Sequence, residues 1–235
     1  MLREFFKYKT TITTILVDEK GFFEPAKKAM VNARLEIESE ISVNPLFSTS
    51  LVPLEAETDS VHVGRMVRSA KRAGTGPMAA VAGTIARAGA EAMKESGASA
   101  GVIDNGGDIA FFSGREIKIG LYAGNSAMSK NTAFILPPKD EIYGVCTSSA
   151  TVGPSISFGI ADSVTVFSHD VSLADAWATM ICNNIRSPLL TYPMPEPADM
   201  GVDGIFATFG DESSGWGLIP EIKAAIVDDK LITSG

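Results

Sequence analysis

Residues 76–112 read GPMAAVAGTIARAGAEAMKESGASAGVIDNGGDIAFF, and the period of the sequence changes inside them. Pro77 suits the first turn of a helix, where its missing N–H would have no partner anyway. From there to Ser96 small residues dominate: Ala79, Ala80, Ala82, Gly83, Ala86, Ala88, Gly89 and Ala90. Small side chains let another backbone approach closely, which places this helix centrally. After Gly97 the pattern is that of strands: 101–104, a turn at Asn105-Gly106-Gly107, and a return strand over 109–112. Asn-Gly is a strong hairpin signal because the turn needs positive φ.

The flanking sequence follows the same division. Upstream, residues 8–17 are β-branched and read as a strand. Pro25 opens a helix that buries Ala26, Met30, Ala33, Ile37 and Ile41. Residues 42–56 hold two prolines and read as loop. A second helix spans 60–73, with Val63, Met66, Val67 and Ala70 inward, Arg65, Arg68 and Arg72 outward, and Gly74 as its stop. Downstream, strands are expected at 116–122, 132–136, 142–147 and 163–168, and a helix over 172–184. Residues 187–203 form an irregular, proline-rich connection. A strand near 204–208, a Gly/Ser loop at 210–217 and a short helix from Pro220 close the chain. Helices and antiparallel hairpins come in separate blocks, so the fold class is α+β, as a single domain.

The chain has 235 residues, with 20 Lys and Arg against 28 Asp and Glu, a net charge of −8. An acidic surface argues against nucleic acid or anionic membrane as partner. Residues 142–161 carry no formal charge, but ten of the twenty are Ser, Thr, Gly or Pro, which is no membrane span. Such a neutral, hydroxyl-rich run is buried or lines a site. The two cysteines, Cys146 and Cys182, have no partner spacing, and no apolar signal core follows the N-terminus. Both points suit a reducing, cytoplasmic location.

Three segments could carry chemistry. The turn Asn105-Gly106-Gly107-Asp108 leaves backbone N–H groups uncovered and can hold a phosphate. An ordinary hairpin turn is the plainer reading. Thr147, Ser148 and Ser149 follow a strand and offer hydroxyls to a phosphate or ribose; equally, they are the polar residues that collect at strand ends. Asp175 and Thr179 lie one turn apart on one helix face, and a carboxylate with a hydroxyl suits Mg²⁺. Alternatively Ser172-x-x-Asp175 is a capping box that closes the helix start. The arginine face reads as solvated, with a phosphate role as the alternative, and Cys146 reads as a small core residue. His62 and His169 have no partner identifiable from spacing.

The order of these motifs carries a resemblance. Asn105-Gly106-Gly107-Asp108, then Thr147-Ser148-Ser149, then Ser163-Val-Thr-Val-Phe-Ser before Ala174-Asp175-Ala176-x-Ala178-Thr179, resembles the ApbE superfamily of FAD:protein FMN transferases. With Gly76-Pro77-Met78-Ala79-Ala80-Val81-Ala82-Gly83 and Gly144-Val-Cys146-Thr-Ser-Ser, residues 8–186 look like a shorter ApbE-like family of archaea and anaerobic bacteria, one without an established activity. The resemblance implies two-layer α/β units with antiparallel sheets, arranged as a duplication, and a site between the halves. It implies Mg²⁺ at Asp175 and Thr179, bridging the diphosphate of FAD. It also implies a nucleotide pocket lined by Asn105, Gly106, Gly107, Asp108, Thr147, Ser148 and Ser149. The chain departs from the transferases in lacking their His-Ile-Ile-Asp-Pro-x-Thr-Gly segment, where residues 150–157 stand instead. Ser149 replaces a Gly, and Pro154 stands where the short family is expected to carry His.

Three functions follow. The first is a Mg²⁺-dependent binder of FAD or another flavin nucleotide, acting as an FMN transferase toward a protein acceptor or as an FAD pyrophosphatase. The second is a flavin or nucleotide carrier without turnover. The third is a structural subunit whose small-residue helix packs on a partner. A homo-oligomer is the expected state.

Overall fold

The computed structural model describes residues 1–124, 126–151, 159–186, 195–228 and 232–233. Eight strands form one antiparallel sheet: β1 (Leu2–Tyr8), β2 (Thr11–Val17), β3 (Ala100–Asn105), β4 (Asp108–Ser113), β7 (Lys139–Ser148), β8 (Ser163–Ser168), β9 (Gly204–Phe209) and β10 (Glu212–Gly217), in that spatial order. Three more, β11 (Glu221–Ala224), β6 (Thr132–Leu136) and β5 (Ile117–Gly120), make a smaller antiparallel sheet. The helices are α1 (Phe23–Val43), α2 (Val61–Ala73), α3 (Val81–Glu95), α4 (Val171–Asn184) and the short α5 (Pro197–Met200). The mixed α/β architecture with antiparallel sheets is the expected one.

Strand periodicity sorts the large sheet's side chains into two cores. Ile103, Ala110, Phe112, Cys146, Val164, Val166, Ile205 and Ala207 face the helices, where Met30, Met66, Ala86, Met93 and Ile181 meet them. Val102, Ile109, Phe111, Val145, Phe167 and Phe206 face the small sheet and pack on Phe134 and Leu136. The aromatic rings there meet edge to face, with Phe134 at 5.1 Å from Phe167 and 5.5 Å from Phe206.

Local signals account for the helix ends. Ser60 caps α2 by accepting the Val63 N–H at 3.2 Å, and Gly74 ends it at φ +75°. The central helix is entered through a single 3₁₀ turn, Pro77–Ala80. Its glycines are used inside the chain. A Cβ at Gly89 would sit 2.9 Å from the Met30 side chain, and one at Gly83 would sit 2.8 Å from the Val171 carbonyl oxygen of α4. The small-residue face is thus filled by this chain's own α1 and α4.

Several elements differ from expectation. The strand read at 8–17 is β2, the second arm of a hairpin whose first arm, β1, was not expected and carries Arg3, Glu4 and Lys7 on the sheet edge. Charges suit an edge, but they hide a strand from a hydrophobicity reading. The expected Gly/Ser loop at 210–217 is largely β10, the opposite edge, and the expected helix from Pro220 is β11. Of the 187–203 connection, residues 187–194 lie outside the described residues; α5 and the chain to β9 follow. No helix among the described residues is long and apolar enough to cross a membrane.

Candidate functional site

The β3–β4 turn is built on Gly106 and Gly107, at φ +70° and +101°, a backbone that side chains rarely adopt. Asn105 is not a turn residue but the last paired residue of β3, opposite Asp108. Asp108 is in turn opposite Cys146 of β7, and Cys146 opposite Val166 of β8. Alternation puts Asn105, Asp108 and Cys146 on the helix-facing side as one row. Asn105 Nδ2 donates to the Ala82 carbonyl at 3.0 Å, which ties the row to the start of α3.

Asp175 stands over this row from α4. Its Oδ2 accepts the Gly83 N–H at 2.8 Å. The capping-box reading is overturned: the N-cap of α4 is Asp170, whose carboxylate accepts the Leu173 N–H at 3.3 Å. Ser172 is buried and shares a 2.8 Å hydrogen bond with Thr84 of α3. Asp175 therefore caps the first turn of α3, from a different helix. Its carboxyl is 7% exposed and is pushed up to about 7 by burial, against the pull of the Gly83 and Ala82 N–H groups. Burial, and then the Asp175 charge, push Asp108 well above the carboxylate range. Burial and both carboxylates push the Cys146 thiol up as well, so it is a protonated core group, as its isolation in sequence suggests. It donates to the Val171 carbonyl at 3.4 Å.

The expected hydroxyls divide between the two faces. Thr147 lies on the opposite face of the sheet and shares a 2.9 Å hydrogen bond with Thr165. Its backbone N–H, donated to Gly107 O at 3.2 Å, is what borders the turn. Ser148 alternates to the helix side, paired with Val164. Ser149 accepts the Thr151 N–H at 3.0 Å, and Thr151 donates on to Asp162 at 3.1 Å. Thr179, one turn beyond Asp175, is partly exposed, and its hydroxyl makes no hydrogen bond among the described residues. Residues 152–158, which include Pro154, lie outside the described residues.

The structure thus brings Asn105, Asp108, Ser148 and Asp175 to one side of the sheet, with the glycine turn beside them. It turns the Thr147 side chain away. Two participants had no sequence signal as ligands: the N–H groups of Ala82 and Gly83, visible only as members of the small-residue run. A third is Asp104, on the other face of β3. It accepts the Gly107 N–H at 3.0 Å and the Thr233 hydroxyl at 2.6 Å, which braces the turn from behind. Among the described residues no group of three or more His, Cys, Asp or Glu is arranged as a ready metal cage.

The arginine face serves packing. Arg65 holds Glu91 with two hydrogen bonds of 2.8 and 2.7 Å, and Arg72 donates to the Met200 carbonyl at 3.0 Å. Arg68 is exposed. His62 is half-buried beside Glu36 of α1 and Glu91 of α3, and His169 lies edge-on to Tyr143. Two open clefts, of about 510 and 790 Å³, share Arg87 and His169 and include none of the expected residues.

The antiparallel α/β architecture places the chain in one class of fold, that of a solved flavinyl transferase. The apo flavinyl transferase ApbE of Pseudomonas stutzeri shares it, with a TM-score of 0.53 at 13% identity over 100% of this chain and 98% of that one. Within that class, the chain belongs to the family described as "AbpE bacteria", whose family model matches residues 7–199. It is similar along its whole length to UPF0280 proteins of methanogenic archaea. It is 51% identical to that of Methanosphaerula palustris, covering 99% of the relative, and 54% identical to that of Methanoculleus marisnigri, covering 96%. The resemblance carried by the motif order is therefore the correct one.

Proposed function

We propose that this protein binds a flavin nucleotide, FAD or a related nucleotide diphosphate, in the space between the Gly106-Gly107 turn and the starts of α3 and α4. The observation that carries this reading is convergence. Segments far apart in sequence, at Ala82–Gly83, Asn105–Asp108, Cys146–Ser148 and Asp175, meet on one side of the sheet, Gly83 and Asp175 being 92 positions apart. The likeness in fold to a flavinyl transferase supports a flavin as the nucleotide.

The donor set fits a hard divalent cation such as Mg²⁺. Asp175 offers a buried carboxylate that forms no ion pair among the described residues, and Thr179 lies one turn along the same helix. These two residues would hold the ion. When bound, Mg²⁺ would offset the charge of the diphosphate as it is cleaved. The chain's own residues have separate tasks. Asp175 is fixed by the Gly83 and Ala82 N–H groups of α3, and the carboxylate keeps further lone pairs for a cation. Asn105 locks the hairpin to α3. The Gly106 and Gly107 backbone borders the diphosphate without side chains in the way. Transfer of FMN to a protein acceptor, or hydrolysis of the diphosphate, is the reaction this arrangement serves. A carrier without turnover is the second reading, favoured because neither histidine stands at the row.

Thermal unfolding with FAD, FMN, AMP or no nucleotide, each with and without Mg²⁺, tests the proposal. A ligand at 100 times its Kd stabilises by about 2.7 kcal/mol, a shift of a few degrees for this length. A shift with FAD that requires Mg²⁺ is expected. No shift with any nucleotide overturns it. Release of AMP on long incubation with FAD and Mg²⁺ separates enzyme from carrier.

A further inference from the structure

Asp108 opens β4 on the helix-facing side, in line with Asn105 and Cys146. Its Oδ1 is sealed from solvent and accepts no hydrogen bond among the described residues. A buried acceptor without a donor is unfavourable and rare in native proteins. The Cys146 thiol and the Thr147 N–H bond to this carboxyl, yet Oδ1 itself is left without a donor. The Asn105 amide donates to Ala82 O, and the Cys146 thiol has Val171 O within 3.4 Å. No Lys or Arg forms an ion pair with Asp108 or Asp175 among the described residues, and the charge of Asp175 bears directly on Asp108. Two carboxylates thus act on each other on the helix side of the sheet, with no Lys or Arg paired to either among the described residues.

We infer that Asp108 is a second carboxylate ligand of the cation proposed at Asp175, so that the ion links the sheet to the helix layer. The inference rests on the reading that Asp175 holds a cation. It assigns to Asp108 a role other than lining the nucleotide pocket. A cation between them would satisfy the sealed Oδ1 and remove the like-charge repulsion in one step. Oxygen donors from both carboxylates suit Mg²⁺ or its spectroscopic substitute Mn²⁺, with water and phosphate oxygens completing the shell.

The test is a Mn²⁺ titration of the full chain, read by the electron paramagnetic resonance of free Mn²⁺, with Mg²⁺ as competitor. The proteins compared are the natural one, Asp108→Asn, Asp108→Ser and Asp175→Asn. Near-ultraviolet circular dichroism establishes that each variant is folded, and FAD binding is measured separately. The expected result is at least a tenfold loss of Mn²⁺ affinity in both folded Asp108 variants, as in Asp175→Asn. Unchanged Mn²⁺ affinity in a folded Asp108 variant overturns the inference, as does absence of Mn²⁺ binding to the natural protein. If FAD still binds with Mg²⁺ in that first case, the flavin reading stands and only the inference falls. If Mn²⁺ is lost with Asp108 but no flavin nucleotide binds, the ligand assignment stands and the flavin reading falls.

Discussion

The carboxylate of Asp175 accepts the backbone N–H of Gly83 at 2.8 Å, across 92 positions of sequence. One contact thereby does two things. It satisfies a donor that every helix start leaves open, and it fixes the carboxylate under two helices. The helices can come this close only because position 83 has no side chain. A Cβ there would lie 2.9 Å from the Asp175 Cβ and 2.8 Å from Val171 O.

Gly83→Ala is therefore expected to destabilise the protein by about 1–3 kcal/mol, the usual cost of overpacking. Gly21→Ala is the control, because a Cβ at Gly21 meets nothing within 4 Å, and its effect should stay within about 0.5 kcal/mol. Denaturant midpoints of the two variants check this. Equal midpoints would mean that the α3–α4 contact is not tight.

Asp175 gives a pH dependence with a definite sign. Its carboxyl is raised in the folded protein to about 7 from an ordinary 3.8. A raised folded value contributes stability that is fully present below the unfolded value and is lost as pH rises through the folded one. The metal-free natural protein should therefore lose up to about 4 kcal/mol between pH 4 and pH 8 from this group. Asp175→Asn should lack that loss, so its stability relative to the natural protein improves at pH 8. Urea unfolding at the two pH values, without divalent ions, measures it.

Glu91 has the opposite sign. Burial works against its charge, but hydrogen bonds from Arg65 and Arg87 hold its carboxyl below the ordinary value. Its contribution is present above the unfolded value, near 4.5, and is lost as pH falls through the lowered folded value. Glu91→Gln should cost about 1–3 kcal/mol at pH 7, since it weakens charge-assisted bonds to a largely buried Arg65. The difference from the natural protein should shrink toward pH 3. A pH series of melting temperatures for both proteins is the measurement.

Ser60→Ala removes the side chain that caps α2. It should cost about 1 kcal/mol, while Ser60→Thr should restore most of it, because a hydroxyl can both cap the helix and keep the donation to the Glu36 carboxylate. A cost near zero would show that α2 is held by packing alone.

Much of this was legible in the sequence, because the signals involved are short-range. Ser60 and Gly74 bound α2 through groups within four residues of them. The paired glycines at 106 and 107 mark the hairpin because only they adopt its backbone freely. Strands at 132–136 and 163–168 follow from β-branched and aromatic runs. The order of the Asn-Gly-Gly-Asp, Thr-Ser-Ser and Ala-Asp-Ala segments pointed to the family. Edge strands escaped for a physical reason. β1 and β10 bury little, so charge or Gly and Ser on them costs little, and their composition reads as loop.

The candidate site was legible as a set of residues but not as an arrangement. Alternation along β7 is a local rule, yet which face meets the helices is set by the whole sheet. That is why Ser148 lies on the helix side of the sheet while Thr147 bonds to Thr165. In the same way Ser172-x-x-Asp175 has the form of a cap, but an aspartate one residue before the helix took that place. Asp175 was left to cap a different helix. The sequence alone determined the interior helices and strands, their order and the family, since each depends on neighbours along the chain. Only the tertiary structure decided that Asp175, Gly83, Asn105 and Asp108 share one site. Those contacts exist only once α3, α4 and the sheet pack together, with glycine at their crossing.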